Sequence, residues 1–134
     1  MKDGVLIGID AGTSIIKSVA FSTNGQQIAA AATPNHYTTL SDGGAEQDMA
    51  RTWADTAVTL KMLSEKVPNL ADRLIAISVT GQGDGMWLAN EAGDPVVPAW
   101  LWLDARAAAI AEDFTHHADY PAHYARTEIG RAHV

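Results

Sequence analysis

The sequence predicts a mixed α/β fold, and three observations support this. Three short runs of apolar and β-branched residues open the chain, a long segment with helical periodicity follows, and further strand-like runs then precede an alanine-rich segment. No internal repeat or low-complexity linker interrupts this order. The chain has 134 residues, of which 47% are hydrophobic and 19% charged, a composition that suits one globular domain.

The first three strands are predicted to form hairpins. Residues 5–10 are apolar and lead into a short turn of small residues, after which residues 15–21 are again apolar and β-branched. The Asn-Gly pair at 24–25 is a strong hairpin signal, because both residue types tolerate a positive φ. Residues 27–33 form the third predicted strand, so the fold is expected to open with three antiparallel strands.

A long helix is predicted after a polar loop. Residues 34–47 show neither helical nor strand periodicity, which predicts a surface loop. Asp48 is expected to cap a helix that begins at Met49 and ends near Pro68. Its predicted apolar stripe is Trp53, Ala57, Leu60, Leu63 and Val67, with Arg51, Asp55, Lys61 and Glu65 away from that stripe.

The second half of the chain alternates between strand and helix. Residues 74–80 are predicted to form a buried strand, residues 81–85 a glycine-rich loop, and residues 86–88 a resumption of the strand. A turn at 91–95 and an apolar segment at 99–103 follow. Asp104 is expected to cap an alanine-rich helix that ends near His116.

Charge and composition exclude several classes of protein. The net charge of −7 and the absence of a dense basic cluster argue against nucleic acid as a partner. Without cysteine, neither a disulfide framework nor a thiolate zinc site can form, and a cytoplasmic location is expected. No apolar run approaches the roughly 20 residues of a membrane-spanning helix, and no leader-like segment precedes the first strand, so no membrane association is expected.

The first candidate site is the turn from Asp10 to Ser14, together with Lys17. Small residues let backbone N–H groups approach phosphate oxygens, the hydroxyls of Thr13 and Ser14 add donors, and Lys17 adds a cation. Asp10 can hold Mg²⁺ through water. The alternative is an ordinary hairpin whose aspartate and glycine only satisfy the turn. It is not a Walker A loop, because no Gly-Lys-Ser/Thr sequence follows.

The second candidate site is the loop Gly81-Gln82-Gly83-Asp84-Gly85. It follows a predicted strand, and ligands of α/β folds bind at the carboxyl ends of strands. Glutamine offers a donor and an acceptor while aspartate offers acceptors, a combination that suits hydroxyl groups. The alternative is a solvated turn.

Two further motifs have simple structural explanations. Trp100 and Trp102 alternate on an apolar segment, which is typical of core residues as well as of sugar-binding surfaces. Asp104 is explained as a helix cap, with Arg106 as its neighbour. The segment Glu46-Gln47-Asp48 before Trp53 indicates only a capped helix with a buried tryptophan. His116, His117 and His123 match no standard metal-ligand spacing.

Taken together, four motifs resemble the FGGY carbohydrate kinases in order and spacing over about residues 5–115, although each alone is weak. They are Gly8-Ile9-Asp10-Ala11-Gly12-Thr13-Ser14 with Lys17, Glu46-Gln47-Asp48 before Trp53, Thr80-Gly81-Gln82-Gly83-Asp84-Gly85, and Trp102-Leu103-Asp104-Ala105-Arg106. Members of that family have two ribonuclease-H-like domains of the actin, Hsp70 and hexokinase type, with sugar and Mg-ATP in the cleft between them. The resemblance therefore implies a ribonuclease-H-like ATPase domain with a mixed sheet and flanking helices.

The resemblance also implies roles for individual residues. Asp10 corresponds to the aspartate that organises Mg²⁺. The residues expected at the ATP phosphates are Asp10, Gly12, Thr13, Ser14 and Lys17. The residues expected at the sugar or polyol are Gln82, Gly83, Asp84, Trp102, Asp104 and Arg106. The Gln-Gly-Asp-Gly sequence and the Trp-Leu-Trp-Leu-Asp-Ala-Arg sequence most resemble erythritol kinases, and a homodimer is compatible with this family.

The family's catalytic aspartate and adenosine pocket lie further along the chain than residue 134, so no catalytic residue is expected here. Residues 1–134 are interpreted as the N-terminal portion of the first kinase domain, with an irregular or foreign tail from about residue 121. Three alternatives stay open. They are a non-catalytic remnant of a ribonuclease-H-like module, a xylulose, ribulose or glycerol kinase of the same family, and another actin-like ATPase such as an acetate-kinase relative.

Overall fold

The computed structural model describes residues 3–128, and its order of elements confirms the α/β fold. The strands are β1 Val5–Ala11, β2 Ile15–Ser22, β3 Gln27–Pro34, β4 Thr38–Thr39, β5 Ala45–Gln47, β6 Leu74–Gly81 and β7 Ala99–Trp100. The helices are α1 Met49–Lys66, α2 Leu70–Arg73, α3 Ala108–Thr115 and α4 Tyr120–Thr127.

The main sheet has the strand order β3-β2-β1-β6. The first three strands are antiparallel neighbours, as predicted, and β6 returns parallel to β1 after the helical crossover. Gly25 has φ +86°, so the Asn-Gly turn uses the conformational freedom that the sequence indicated. The parallel pairing places Gly81, the last residue of β6, opposite Ala11, the last residue of β1.

Helix α1 covers one face of the antiparallel strands with only the second half of the predicted stripe, since Leu63 and Val67 are in the core and Leu60 packs against it. Asp48 caps the helix by accepting a hydrogen bond from the backbone N–H of Arg51, and it ends at Lys66, as expected. Its buried residues are Thr52, Asp55, Thr59 and Leu63, whereas Trp53 is 77% exposed. Polar residues can face the sheet because they are paired: the hydroxyls of Thr59 and Ser18 lie 2.6 Å apart, and Asp55 accepts from Arg51 at 2.7 Å.

Strand β6 is not buried in the described part of the chain. Ile77 and Val79 are 47% and 66% exposed, although they lie opposite the core residues Ile7 and Ile9 on the face that carries α1. The prediction of a buried strand was wrong because β6 is at the edge of the sheet and α1 lies over β2 and β3.

A second, small sheet has the order β4-β5-β7. Its strands β4 and β5 fall inside residues 34–47, which the sequence predicted to be a loop. Strand β7 pairs with β5, so the segment that begins at Ala99 lies beside the residues that immediately precede α1. Residues 86–88 do not resume a strand: Met86 forms only an isolated bridge with Trp100.

Helix α3 begins later than expected, and a further helix, α4, follows it. Helix α3 begins at Ala108 with Ala107 at its cap position, so Asp104 is not its cap. Asp104 instead accepts a hydrogen bond from the backbone of Ala45. Helix α4 shows that the segment is regular up to Thr127, against the expectation of an irregular tail. The final residues, for which a foreign origin was expected, lie outside the described residues.

Candidate functional site

The turn between β1 and β2 leaves two backbone N–H groups for a ligand. The N–H of Gly12 donates to the carbonyl oxygen of Ile15 at 3.1 Å and closes the turn. Within residues 3–128, the backbone N–H groups of Thr13 and Ser14 donate to no backbone acceptor. A Cβ atom on Gly12 would lie 2.9 Å from the Ile15 oxygen, so the tight turn requires glycine. Successive free N–H groups of this kind form a cradle for an anion.

A buried asparagine that the sequence did not single out fastens this turn. Asn35 is 5% exposed, and its Nδ2 donates to the carbonyl oxygen of Gly12 at 2.9 Å. Its backbone N–H donates to the oxygen of Ser14 at 2.8 Å. Its Oδ1 lies 3.3 Å from the hydroxyl of Thr52 on α1, which shares its single proton with the backbone oxygen of Asp48 at 3.1 Å. Asn35 therefore holds the turn from behind, beside helix α1. No periodicity or motif around Asn35 signals this role.

Three polar side chains lie side by side below the turn. Asp10 is opposite Lys17 in the β1–β2 ladder and opposite Thr80 in the β1–β6 ladder, so all three are on one face of the sheet. They line a groove of about 360 Å³ on the face away from α1. Among the described residues, neither Asp10 nor Lys17 forms an ion pair. Their charges are available to a ligand.

A chain of hydrogen bonds joins this turn, which is the first of the four sequence motifs, to each of the other three. The indole Nε1 of Trp102 donates to the hydroxyl of Thr13 at 3.2 Å, and this hydroxyl donates to Oε1 of Gln82 at 3.0 Å. Nε2 of Gln82 donates to Oε1 of Gln47 at 2.7 Å. Nε2 of Gln47 in turn donates to the backbone oxygen of His36 at 3.2 Å, with a longer contact of 3.5 Å to the oxygen of Thr13.

The glycine-rich loop after β6 combines an open and a tight position. A Cβ atom on Gly83 would meet nothing within 4 Å, so packing within the described chain does not require glycine there. Asp84 has φ 58°, a left-handed conformation that costs energy for a residue other than glycine. A Cβ atom on Gly85 would lie 2.6 Å from the carbonyl oxygen of Trp100, so this position must be glycine. The loop therefore exposes Gly83 and Asp84 while its end is held against β7.

Asp104 and Arg106 form a closed ionic cluster with Glu46, which belongs to the motif before α1. Arg106 donates to both carboxylate oxygens of Asp104, and its Nη1 lies 2.9 Å from Oε1 of Glu46. The guanidinium carbon lies 3.8 Å from the centre of the Trp100 ring, as in a cation–π contact. Asp104 also accepts from the N–H of Ala45 at 2.9 Å, which ties the segment after β7 to β5. The hydrogen bonds and charge of Arg106 hold the pKa of the Asp104 carboxyl well below its usual range, and the Asp104 carboxylate raises the pKa of Arg106.

This lowered pKa predicts how stability depends on pH. The folded chain releases the Asp104 proton more readily than the unfolded chain does, so the stabilising contribution is complete above the ordinary pKa of 3.8 and is lost as the pH falls below it. Asp104→Asn is therefore expected to flatten the loss of stability in acid, measured as the urea midpoint between about pH 6 and about pH 2.5. The exposed Asp72→Asn is the matched control and keeps the full acid dependence. Equal acid dependence in both variants would contradict the assignment.

The described residues contain neither a cluster of metal-binding side chains nor a membrane-spanning helix. No group of three metal-binding side chains within residues 3–128 is arranged to hold a metal ion. His117 and His123 instead contact the ring of Phe114, with centroids 6.4 and 5.2 Å away. No helix in this part of the chain is long and apolar enough to cross a membrane.

The structure thus brings the four motifs into one region, with contacts that their spacing did not indicate. Thr13, Gln82 and Trp102 meet directly, whereas Asp104 and Arg106 are engaged with Glu46. Gln47 belongs to a motif that was interpreted only as a helix start, yet it is 1% exposed and ends the hydrogen-bond chain.

Comparison with known proteins identifies the family of the chain. Residues 5–133 match the N-terminal domain of the FGGY family of carbohydrate kinases. The chain is similar to an erythritol kinase of Brucella abortus, with 50% identity over 95% of this chain and 24% of that protein. It is also similar to a glycerol kinase of Mycoplasma genitalium, with 33% identity over 85% of this chain and 23% of that protein. The chain therefore spans about a quarter of the length of these relatives.

Solved structures show the same fold. A xyloylose kinase from Brucella ovis superposes with a TM-score of 0.81 at 26% identity, over 90% of this chain and 24% of that one. A xylulose kinase from Rhodospirillum rubrum superposes with a TM-score of 0.78 at 22% identity, over 90% of this chain and 25% of that one. The fold is that of the actin and hexokinase type, as the resemblance implied. The chain belongs to the FGGY family of carbohydrate kinases and carries sequence of its N-terminal domain.

Proposed function

We propose that this chain is the part of an ATP-dependent polyol kinase that binds the phosphates of ATP and one side of an erythritol-like substrate. The observation that supports this most directly is the hydrogen bond of 3.0 Å between Thr13 in the phosphate turn and Gln82 in the glycine-rich loop. It joins the turn that we propose for phosphate to a loop with donors and acceptors that suit hydroxyl groups. In a kinase these two groups must lie next to each other, since phosphoryl transfer depends on positioning and charge neutralisation.

The residues of the turn fit Mg-ATP by their chemistry. The free N–H groups of Thr13 and Ser14 and the cation of Lys17 suit phosphate oxygens, and the carboxylate of Asp10 suits Mg²⁺ held through water. Bound Mg²⁺ neutralises phosphate charge and orients the transferred group. Asp10 and Lys17 are opposite each other in the β1–β2 ladder, which supports their assignment to one and the same ligand.

The substrate side is assigned to Gln82, Gly83, Asp84 and Trp102. Gly83 and Asp84 are exposed, and Trp102 is 56% exposed. The polar groups of Asp104 and Arg106 are engaged with each other and with Glu46, so we assign them the task of holding the Trp102 segment in place.

Calorimetry on the chain tests this assignment. Mg-ATP is expected to bind with saturable heat, and Lys17→Met is expected to weaken it about tenfold, the effect of losing one charge-assisted interaction. Lys61→Met, an exposed lysine on α1, is the matched control and leaves binding unchanged.

A polyol panel with erythritol, glycerol and xylulose then ranks the substrates, with Asp84→Asn expected to lose polyol binding. If neither ATP nor any polyol gives saturable heat, the chain is a non-catalytic remnant and the proposal is wrong.

We further expect that the chain of 134 residues does not phosphorylate erythritol by itself, because the resemblance places the proton-accepting aspartate beyond it. Phosphorylated erythritol formed by the purified chain with Mg-ATP would contradict this. The cytoplasmic location and the homodimer stay predictions.

A further inference from the structure

We infer that Gln47 is a positioning residue that sets the orientation of the Gln82 carboxamide and so joins the glycine-rich loop to the phosphate turn. This inference rests on the proposed function for the roles of those two segments. Its structural basis is the hydrogen-bond chain from Trp102 through Thr13 and Gln82 to Gln47.

The two ends of this chain determine its direction. The indole N–H of Trp102 can only donate, so the Thr13 hydroxyl accepts there and uses its single proton on Oε1 of Gln82. At the other end, the backbone oxygen of His36 can only accept, so Gln47 turns Nε2 toward it. Gln47 therefore presents Oε1 to Gln82, and Gln82 must donate with Nε2.

This polarity has two consequences for the site. The Gln82 carboxamide is fixed in one of its two orientations, which decides where the loop offers its remaining N–H and its remaining lone pair to a substrate hydroxyl. The hydroxyl proton of Thr13 is already used within the protein, so Thr13 meets phosphate with its backbone N–H rather than with its side chain.

Burial explains why Gln47 can control this orientation. Its side chain is 1% exposed in β5, so water does not replace its partners. Without its Oε1, the Gln82 carboxamide is free to turn over, and two donors would then face the Thr13 hydroxyl. The Trp102 indole would then share the Thr13 oxygen with a second donor, and the Thr13 hydroxyl would lose its acceptor on Gln82, which weakens and reorients the bond from Trp102.

The test follows the indole N–H signal of Trp102 by NMR in the ¹⁵N-labelled chain without ligand, with the signal assigned by its loss in Trp102→Phe. Gln47→Met is expected to shift this signal and to speed its exchange with water by about fivefold to tenfold, the effect of one weakened hydrogen bond. Gln26→Met, the same substitution at an exposed position, leaves the signal unchanged.

The same substitution in proteins with a changed Thr13 distinguishes transmission along the hydrogen bonds from a general loss of structure. In Thr13→Val the link is cut, so Gln47→Met should add no further change at Trp102, whereas in Thr13→Ser it should act as in the parent. An unchanged Trp102 signal in Gln47→Met, or an equal response in Thr13→Val, overturns the inference. If Gln47→Met does not fold, Gln82→Met, whose side chain is only half-buried, interrupts the same chain and has the same expected and contradicting results.

The ligand experiment separates this inference from the proposed function. Erythritol is expected to bind Gln47→Met about fivefold more weakly than the parent chain. If erythritol binds neither, the proposed function fails while the Trp102 signal still decides the role of Gln47.

Discussion

Asn35→Asp is expected to destabilise the chain by about 3 kcal/mol and to abolish binding of Mg-ATP. The substitution preserves the shape of the side chain but replaces the Nδ2 donor with a carboxylate oxygen, 2.9 Å from the carbonyl oxygen of Gly12. Two acceptors then face each other at a site that is 5% exposed. The turn that carries the free N–H groups of Thr13 and Ser14 would move away from Asn35. Urea unfolding and calorimetry measure the two effects.

Asn24→Asp is the matched control, because it makes the same chemical change at an exposed turn. Oδ1 of Asn24 accepts hydrogen bonds from Ser22 and from the backbone of Gln26, and aspartate accepts equally well. Its stability and nucleotide affinity should remain close to those of the parent chain. An Asn35→Asp variant with parental affinity would show that the Asn35 side chain does not hold the turn.

Arg106→Leu is expected to lower the melting temperature clearly and to release Trp102 from Thr13. The change leaves the carboxylates of Asp104 and Glu46 without their shared cation, in side chains that are 7% and 24% exposed. It also removes the cation over the Trp100 ring. Because the cluster ties the segment after β7 to β5, its loss should free that segment as a unit.

Thermal melting followed by circular dichroism measures the stability effect, and the Trp102 indole signal measures the release. Arg126→Leu, an exposed position on α4, serves as the control and should change neither. Equal melting temperatures for Arg106→Leu and Arg126→Leu would show that the ionic cluster does not stabilise the fold.

Local features of the fold could be predicted because their causes are local. The Asn-Gly turn, the cap at Asp48 and the alternation of strands and helices depend on residues within a few positions of one another. The first half of the predicted α1 stripe was wrong for a reason that spacing cannot show, whereas Leu63 and Val67 are buried as predicted. Thr59 and Asp55 face the protein because Ser18 and Arg51 satisfy their polar groups, while the apolar Trp53 is left outside.

The burial of β6 was wrong for a related reason. Its isoleucines and valine have the pattern of a buried strand, but burial depends on what lies over them, and α1 lies over β2 and β3, toward the other edge of the sheet. A run of apolar residues indicates a strand and does not by itself indicate which of its faces is covered.

The amino-acid sequence by itself determined the α/β class, the tight turn between β1 and β2 and the family, because these depend on local patterns and on the order of motifs along the chain. Only the tertiary structure decided which polar groups meet. Asp104 binds the backbone of Ala45, 59 positions away, instead of capping the next helix, and Thr13 binds Gln82, 69 positions away. A polar side chain has several acceptable hydrogen-bond partners, and the one it finds depends on which distant segments the sheet brings beside it.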